Sequence, residues 1–548
     1  MKLIQRIEAA RGDRPANLAL RNARLINVIT GEIYLTDIIV HGTRIVALGE
    51  GYEAEQEIDL DGKYVSPGFI DAHVHIESSL CTPPEFARAV LTHGVTTVVT
   101  DPHEIANVLG LEGIRYMLER AKNGPLNMYV MASSCVPATH METSGARLEA
   151  HDLEPLLSSK WVLGLAEVMN YPGVVQADEG MIDKLVMFYE KVLDGHCPAL
   201  TGKALNAYVT AGIRSEHECT TVEEALEKLR LGMTIFIREG TATRNLRPLL
   251  PLITPENHHF ICFCTDDRVP ASLLDDGSID YMIRVAIQEG GIDPIMAIRM
   301  GTINTARYFR LHEHGVVAPG RRADMVVFSD LQDIRPEMVF RGGQLVVSDG
   351  KMVYSQEKQP RRQMDLRSTM NVRVEALDFT IPAQGDKIHI IGSIPDQIVT
   401  DHFVEEAKIV DGYAVADPER DILKMAVVER HRASGNVGLG FIRGFGIKRG
   451  AIAGTVAHDH HNLVVIGADD QSMYTAAQAV IEMGGGLAAA DGEEVLARLP
   501  LPVAGLMSEA PIEEVRRDYD NLTNVARDQL GCVLQDPFMS MSFMGLEV

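Results

Sequence analysis

Between Val65 and Arg268, eight short apolar runs each end in a polar cluster, and the first closes on Phe69-Ile70-Asp71-Ala72-His73-Val74-His75. On a β-strand the side chains at i and i+2 point to one face, so His73 and His75 can reach a single metal ion. Glu167, His196, His217 and Asp266 each stand just after a later apolar run. Zinc, manganese and iron all accept imidazole and carboxylate ligands, and a hydrolytic site keeps one coordination position for water. His73 and His75 suit one ion. His196 and His217 suit a second, about 3.5–4 Å away, as two-metal sites require. Glu167 is the carboxylate expected to bridge the pair, and Asp266 is expected both to ligate an ion and to receive the proton of the attacking water.

Such ligands need a scaffold that delivers strand ends to one place. Strand patterns such as SPGFIDAHVH, TTVVTDPH, NMYVMASSCV, WVLGLAEVMN and HFICFCTDDR alternate with helical ones such as PPEFARAVLTHG, TVEEALEKLRLG and DYMIRVAIQEGG. Eight such units over about 250 residues fit a closed parallel barrel whose chemistry sits where strands end. The expected fold is α/β, a (β/α)8 TIM-like metal-dependent hydrolase barrel over residues 66–312. A small composite β-sandwich is expected from 1–65 and 313–360, because β-patterned segments flank the barrel on both sides. Residues 361–548 read as a C-terminal α/β domain, entered through a polar linker near Pro360.

The bulk numbers agree with an enzyme in solution. At 548 residues, with 46% hydrophobic and 23% charged residues, the chain has the composition of a multidomain globular protein. It has no apolar run of membrane-spanning length and no signal-peptide pattern, so no membrane partner and a cytoplasmic location are expected. A net charge of −25 disfavours nucleic acid. Seven scattered cysteines without a C-x-x-C pair fit reduced thiols.

Several stretches resemble the adenine deaminase family of the amidohydrolase superfamily: PGFIDAHVHIESS, TDPHEIANVLG, SSCVPAT, GLAEVMNYPGV, DGHCPAL, IREGTATRN, CTDDR, AHDHHNLVVIG and LPLPVAGLMS, in order along nearly the whole chain. Many superfamily members carry a carboxylated lysine on strand four; here Glu167 stands there, as in the adenine branch. Glu216 is more acidic than the resemblance leads one to expect before the strand-six histidine, and the chain ends, at Val548, earlier than family members usually do. The resemblance implies hydrolysis of free adenine to hypoxanthine and ammonia in purine salvage, by a hydroxide activated at a dinuclear centre of manganese or iron, with zinc possible.

Attack at C6 breaks the aromaticity of the purine, so N1 must gain a proton and the amine must leave as ammonia. Asp266 is assigned as the base and Glu218 as the acid for N1, with Glu239 or Glu104 as alternatives. His103 and Glu104, in TDPHE, are expected to touch the substrate or an auxiliary metal, and Ser134 and Cys135, with Ser133, to line the base pocket. His458 and His461, in AHDHHN, are expected to come over the barrel mouth and offer themselves to substrate or a further ion. A homodimer is expected.

Other classes fit less well. The H-x-E at His75 to Glu77 lacks the P-C-x-x-C that completes the zinc signature of nucleic-acid deaminases. A cyclic-amide hydrolase akin to dihydroorotase or imidazolonepropionase would share the ligand set but open a ring instead of releasing ammonia. A non-catalytic scaffold would normally have lost ligands, and none of the six is missing.

Overall fold

The computed structural model describes residues 2–122, 124–354, 366–394 and 400–546. Most of the polar stretch around Pro360 therefore lies outside the described residues.

Six consecutive β-branched residues, Val95 to Thr100, form a strand buried on both faces. Such side chains are stiff at χ1 and pack well on a pleated surface. This strand lies between Phe69–Val74 and Asn127–Ala132 in a parallel sheet of five that continues through Val162–Val168 to Val192–Gly195. A second parallel sheet, of three strands, runs Ser215–Glu216, Thr234–Arg238, Ile261–Cys264.

The two sheets meet at both edges. At one, Arg214 N–H donates to Leu193 O at 3.2 Å and Gly195 N–H to Ser215 Oγ at 3.0 Å. A Cβ on Gly195 would stand 2.2 Å from Ser215 O, so only glycine permits this approach. At the other edge Val74 bridges Asp266 in parallel: Asp266 N–H donates to His73 O at 3.0 Å, and His75 N–H to Asp266 O at 3.3 Å. Helices Pro83–Thr92, Leu111–Lys122, Val222–Arg230 and Ile279–Gln288 follow individual strands and bury their apolar sides. Val222–Arg230 starts where Thr221 Oγ accepts the Glu224 N–H at 3.3 Å, satisfying one of the donors a helix start leaves free.

Strands from before and after the parallel layer form one nine-stranded sheet, joined where Tyr64–Pro67 pairs antiparallel with Met325–Phe328. The ladder is continuous from one end of this sheet to the other. The cause is Ala16–Asn27, a long strand with a register shift between Leu20 and Ala23 that pairs with Ala54–Asp59 along its first half and Tyr64–Pro67 along its second. Toward the C-terminus lies an eight-stranded sheet with helix Asp470–Glu482 against it. Between its strands Ala451–Gly454 and Leu463–Gly467 runs the loop carrying His458 to His461, every residue of it from Ala457 to Asn462 buried. Among the described residues no helix is long and apolar enough to cross a membrane.

Candidate metal centre and active site

His73 and His75 end the first parallel strand with their Nε2 atoms 3.0 Å apart. Both converge on two carboxylates. His75 Nε2 lies 3.2 Å from Glu167 Oε1 and 3.1 Å from Asp266 Oδ1; for His73 Nε2 the distances are 3.4 and 3.5 Å. The other oxygen of Glu167 faces the second imidazole pair, with His196 Nδ1 at 2.8 Å and His217 Nε2 at 3.2 Å. Glu167 thus stands between two pairs of imidazoles, one pair per carboxylate oxygen.

The residues present fit a pair of divalent ions. Glu167 Oε1 is buried and makes no hydrogen bond, although imidazole nitrogens surround it. His75 Nδ1 stands 3.0 Å from the main-chain carbonyl of Asp101, which accepts its N–H and leaves a lone pair on Nε2 for a ligand bond. Burial alone would lower the pKa of His73, yet Glu167 and Asp266 outweigh it and push the ring up to about 10. The pocket is more anionic than its own side chains neutralise, which is the field a cation relieves.

Asp266 holds its place through the main chain as well as the side chain. Its φ is +59°, a left-handed conformation that aspartate tolerates better than most residues. Arg238 Nη1 donates to its Oδ2 at 2.8 Å, leaving Oδ1 to the histidines. Burial would raise the pKa of Asp266, but Arg238, His73 and His75 together hold it well below the usual carboxylate range. Arg238 also clamps Glu218 with both terminal nitrogens, one of them donating to Oε2 at 2.8 Å.

These groups open onto a cavity of about 650 Å³, within the ordinary size of a small-molecule site. His103 and Glu104 line it from the start of helix His103–Leu109, and Ser134 and Cys135 from the end of the third strand. His103 Nδ1 stands 3.0 Å from Asp101 Oδ2 and 3.4 Å from Glu167 Oε1. His458, Asp459 and Phe543 complete the wall from the C-terminal part of the chain.

An amidohydrolase family model matches residues 64–353, and a model of the adenine deaminase C-terminal domain matches residues 397–548. Adenine deaminase of Desulfatibacillum aliphaticivorans is 50% identical over 546 residues, covering 99% of this chain and 95% of that protein. The chain belongs to the adenine deaminase family. Adenine deaminase of Kosmotoga olearia is 46% identical over 551 residues, covering 100% of the chain and 95% of that protein. Among solved structures, β-aspartyl dipeptidase of Fervidobacterium islandicum AW-1 aligns with a TM-score of 0.47 at 17% identity, over 63% of this chain and 100% of that one.

Within this adenine deaminase family member, two expectations, for Glu239 and for His461, need correction. Glu239 does not line the cavity: its Oε2 accepts the Leu246 N–H at 3.2 Å and its Oε1 faces Arg247 at 3.6 Å. Neighbours along a strand point to opposite faces, so the residue that enters the site is Arg238. Glu218, expected as an acid, lines the cavity and has both oxygens in contact with Arg238. His461, expected at the substrate or a further ion, lies behind Glu104 and off the cavity wall, so it does not meet the substrate there, while with Glu104 and His458 it forms a group close enough to hold an ion. The unexpected Glu216 has a structural explanation. It accepts the Cys197 N–H at 2.8 Å and faces the fully buried Lys228 at 3.4 Å, so its charge is matched inside the fold.

Sequence reasoning missed Arg238, Asp459 and Phe543. For Arg238 the signal was available in strand parity. Asp459 lay within the AHDHHN run but was passed over for its histidines, and Phe543 is brought in by tertiary packing and leaves no local mark.

Proposed function

We propose that the chain is an adenine deaminase, hydrolysing free adenine to hypoxanthine and ammonia. The observation that carries the reading is Glu167, one oxygen to each imidazole pair, on the wall of a cavity of small-molecule size. In this reading the two parallel sheets close as a (β/α)8 barrel over residues 66–312, with the β-rich flanks 1–65 and 313–360 and the C-terminal 361–548 as separate units. His73, His75, Glu167, His196, His217 and Asp266 would hold two divalent ions, manganese or iron, with zinc possible. When bound, such ions supply the polarisation that lets water act as a nucleophile near neutral pH.

The chain's own groups then divide the proton transfers. Asp266, with Oδ2 held by Arg238, takes the nucleophile's proton on Oδ1 and returns it to the exocyclic amine as that leaves. On the wall, the His458 imidazole, whose pKa burial would lower but the Glu104 carboxylate pushes up to about 9, supplies the N1 proton, and Glu104 holds that ring in place. Glu218 and Arg238 orient Asp266. Adenine is the small-molecule partner. The protein works as a homodimer in the cytoplasm.

Metal analysis of the purified chain, combined with ammonia release from adenine, adenosine, guanine and cytosine, tests this. Two equivalents of metal and release from adenine alone are expected. Release from adenosine alone, or turnover without ammonia, would overturn it.

A further inference from the structure

Glu104 is gripped from the C-terminal side at both oxygens. His458 Nδ1 meets Oε1 at 2.5 Å and His461 Nε2 meets Oε2, and all three side chains are buried. Two imidazoles and a carboxylate so close together are also the donor set of a metal ion. The tautomer of His461 separates the two readings. The Ala457 main-chain N–H donates to His461 Nδ1 at 3.1 Å, so Nδ1 presents a lone pair and the ring proton sits on Nε2, aimed at Glu104. A nitrogen carrying that proton is a hydrogen-bond donor and not a ligand. Burial in turn lowers the pKa of His461, further than Glu104 raises it, in keeping with a neutral ring.

The loop that presents His461 is itself pinned. The fully buried Arg430 donates from Nε to His461 O at 2.5 Å, from Nη1 to Thr369 O at 2.8 Å and from Nη2 to Ala504 O at 3.0 Å. Asn462 Nδ2 reaches across to Thr143 O at 2.9 Å. His461 is therefore a rigidly mounted donor, lying off the cavity wall that Glu104 itself lines.

We propose that His461 is a positioning residue for the deamination site, reaching from the C-terminal segment to fix the Glu104 carboxylate in one orientation at the cavity wall. The proposal rests on the adenine reading of that cavity. With one imidazole on each oxygen, the carboxylate cannot turn about its terminal bond, and its remaining lone pairs face the substrate in a set direction. A misplacement of about 1 Å in such a group costs about 10²-fold in rate.

The test uses the full-length, metal-loaded protein with His461→Leu and His461→Gln, assayed for ammonia release at a temperature where circular dichroism shows each to be folded. His461→Leu is expected to lose about 10²-fold in kcat/KM, mainly in kcat, with metal content equal to wild type. His461→Gln, whose amide N–H can meet Oε2, is expected to recover at least about tenfold of that loss. Wild-type kcat/KM in His461→Leu, equal impairment of both variants, or a lost metal equivalent would each overturn the proposal. Absence of ammonia release by the wild type would instead sink the adenine reading on which it stands.

Discussion

The six proposed ligands sit on, or within two residues of, the ends of parallel strands, whereas His458 and His461 meet Glu104 from a buried loop 354 and 357 positions further along the chain. The strand-end set is encoded by parity and position: once the sheets form, side chains at those places have nowhere else to point. The loop set depends on a second sheet docking correctly, and its geometry is held by Arg430 and Asn462 instead of by a ladder. One region fixes where the chemistry happens. The other fixes how the substrate is met there.

That contrast can be broken most sharply at its strand-end half. Glu167→Ala removes the carboxylate shared by both imidazole pairs, and elemental analysis should find less than one metal per chain with turnover down by about 10⁴-fold or more. Asp266→Asn keeps the shape but removes the base, and kcat should fall by about 10²- to 10⁴-fold in stopped ammonia assays. Retention of half the wild-type rate by either variant would remove the distinction between the two regions.

Stability probes sharpen the same contrast without reading turnover. Lys228 and Glu216 form a buried pair behind the strand-end histidines, and breaking such a pair costs about 3–5 kcal/mol. Burial would raise the pKa of Glu216, but Lys228 and His217 outweigh it and hold the group at about 2. The folded pKa is below the unfolded one, so the pair's contribution is complete above about pH 4.5 and is lost as pH falls toward 2. Lys228→Met should lower the urea midpoint at pH 7, and the gap to wild type should narrow on acidification through that window. A gap independent of pH would mean that Glu216 is not the partner being stranded. The smallest effect belongs to Glu239→Gln, which should change kcat by less than about twofold, because the side chain is buried away from the cavity wall and Gln keeps an oxygen for the Leu246 N–H. A large drop in kcat would put Glu239 back among the site residues.

The strand-end region is the more legible half in the sequence. Val95 to Thr100 announces its strand by composition, and His73 and His75 share a face through a two-residue period. The same period also explains an error, since choosing Glu239 over Arg238 in IREG is a slip of one residue, and one residue reverses the face. The guanidinium partner of Glu218 comes from the next strand, and sequence does not show which neighbour will occupy both carboxylate oxygens. The β-rich flanks read clearly as strands that complete one small unit, whereas the register shift inside Ala16–Asn27 is a tertiary accommodation with no local mark. The AHDHHN run was visible as a cluster of ligand types. Its tautomer-setting contact with the Ala457 N–H became visible only with the backbone in place.

The ladder between Tyr64–Pro67 and Met325–Phe328 has a consequence for biosynthesis. A ribosome adding roughly 5–20 residues per second takes roughly 13–52 s to travel from Pro67 to Met325. Throughout that interval the nascent chain carries an unmated edge of Tyr64–Pro67. Chaperone capture of the emerging polypeptide should therefore persist until about the time Phe328 clears the exit tunnel, and truncation upstream of Met325 should leave an edge prone to aggregation.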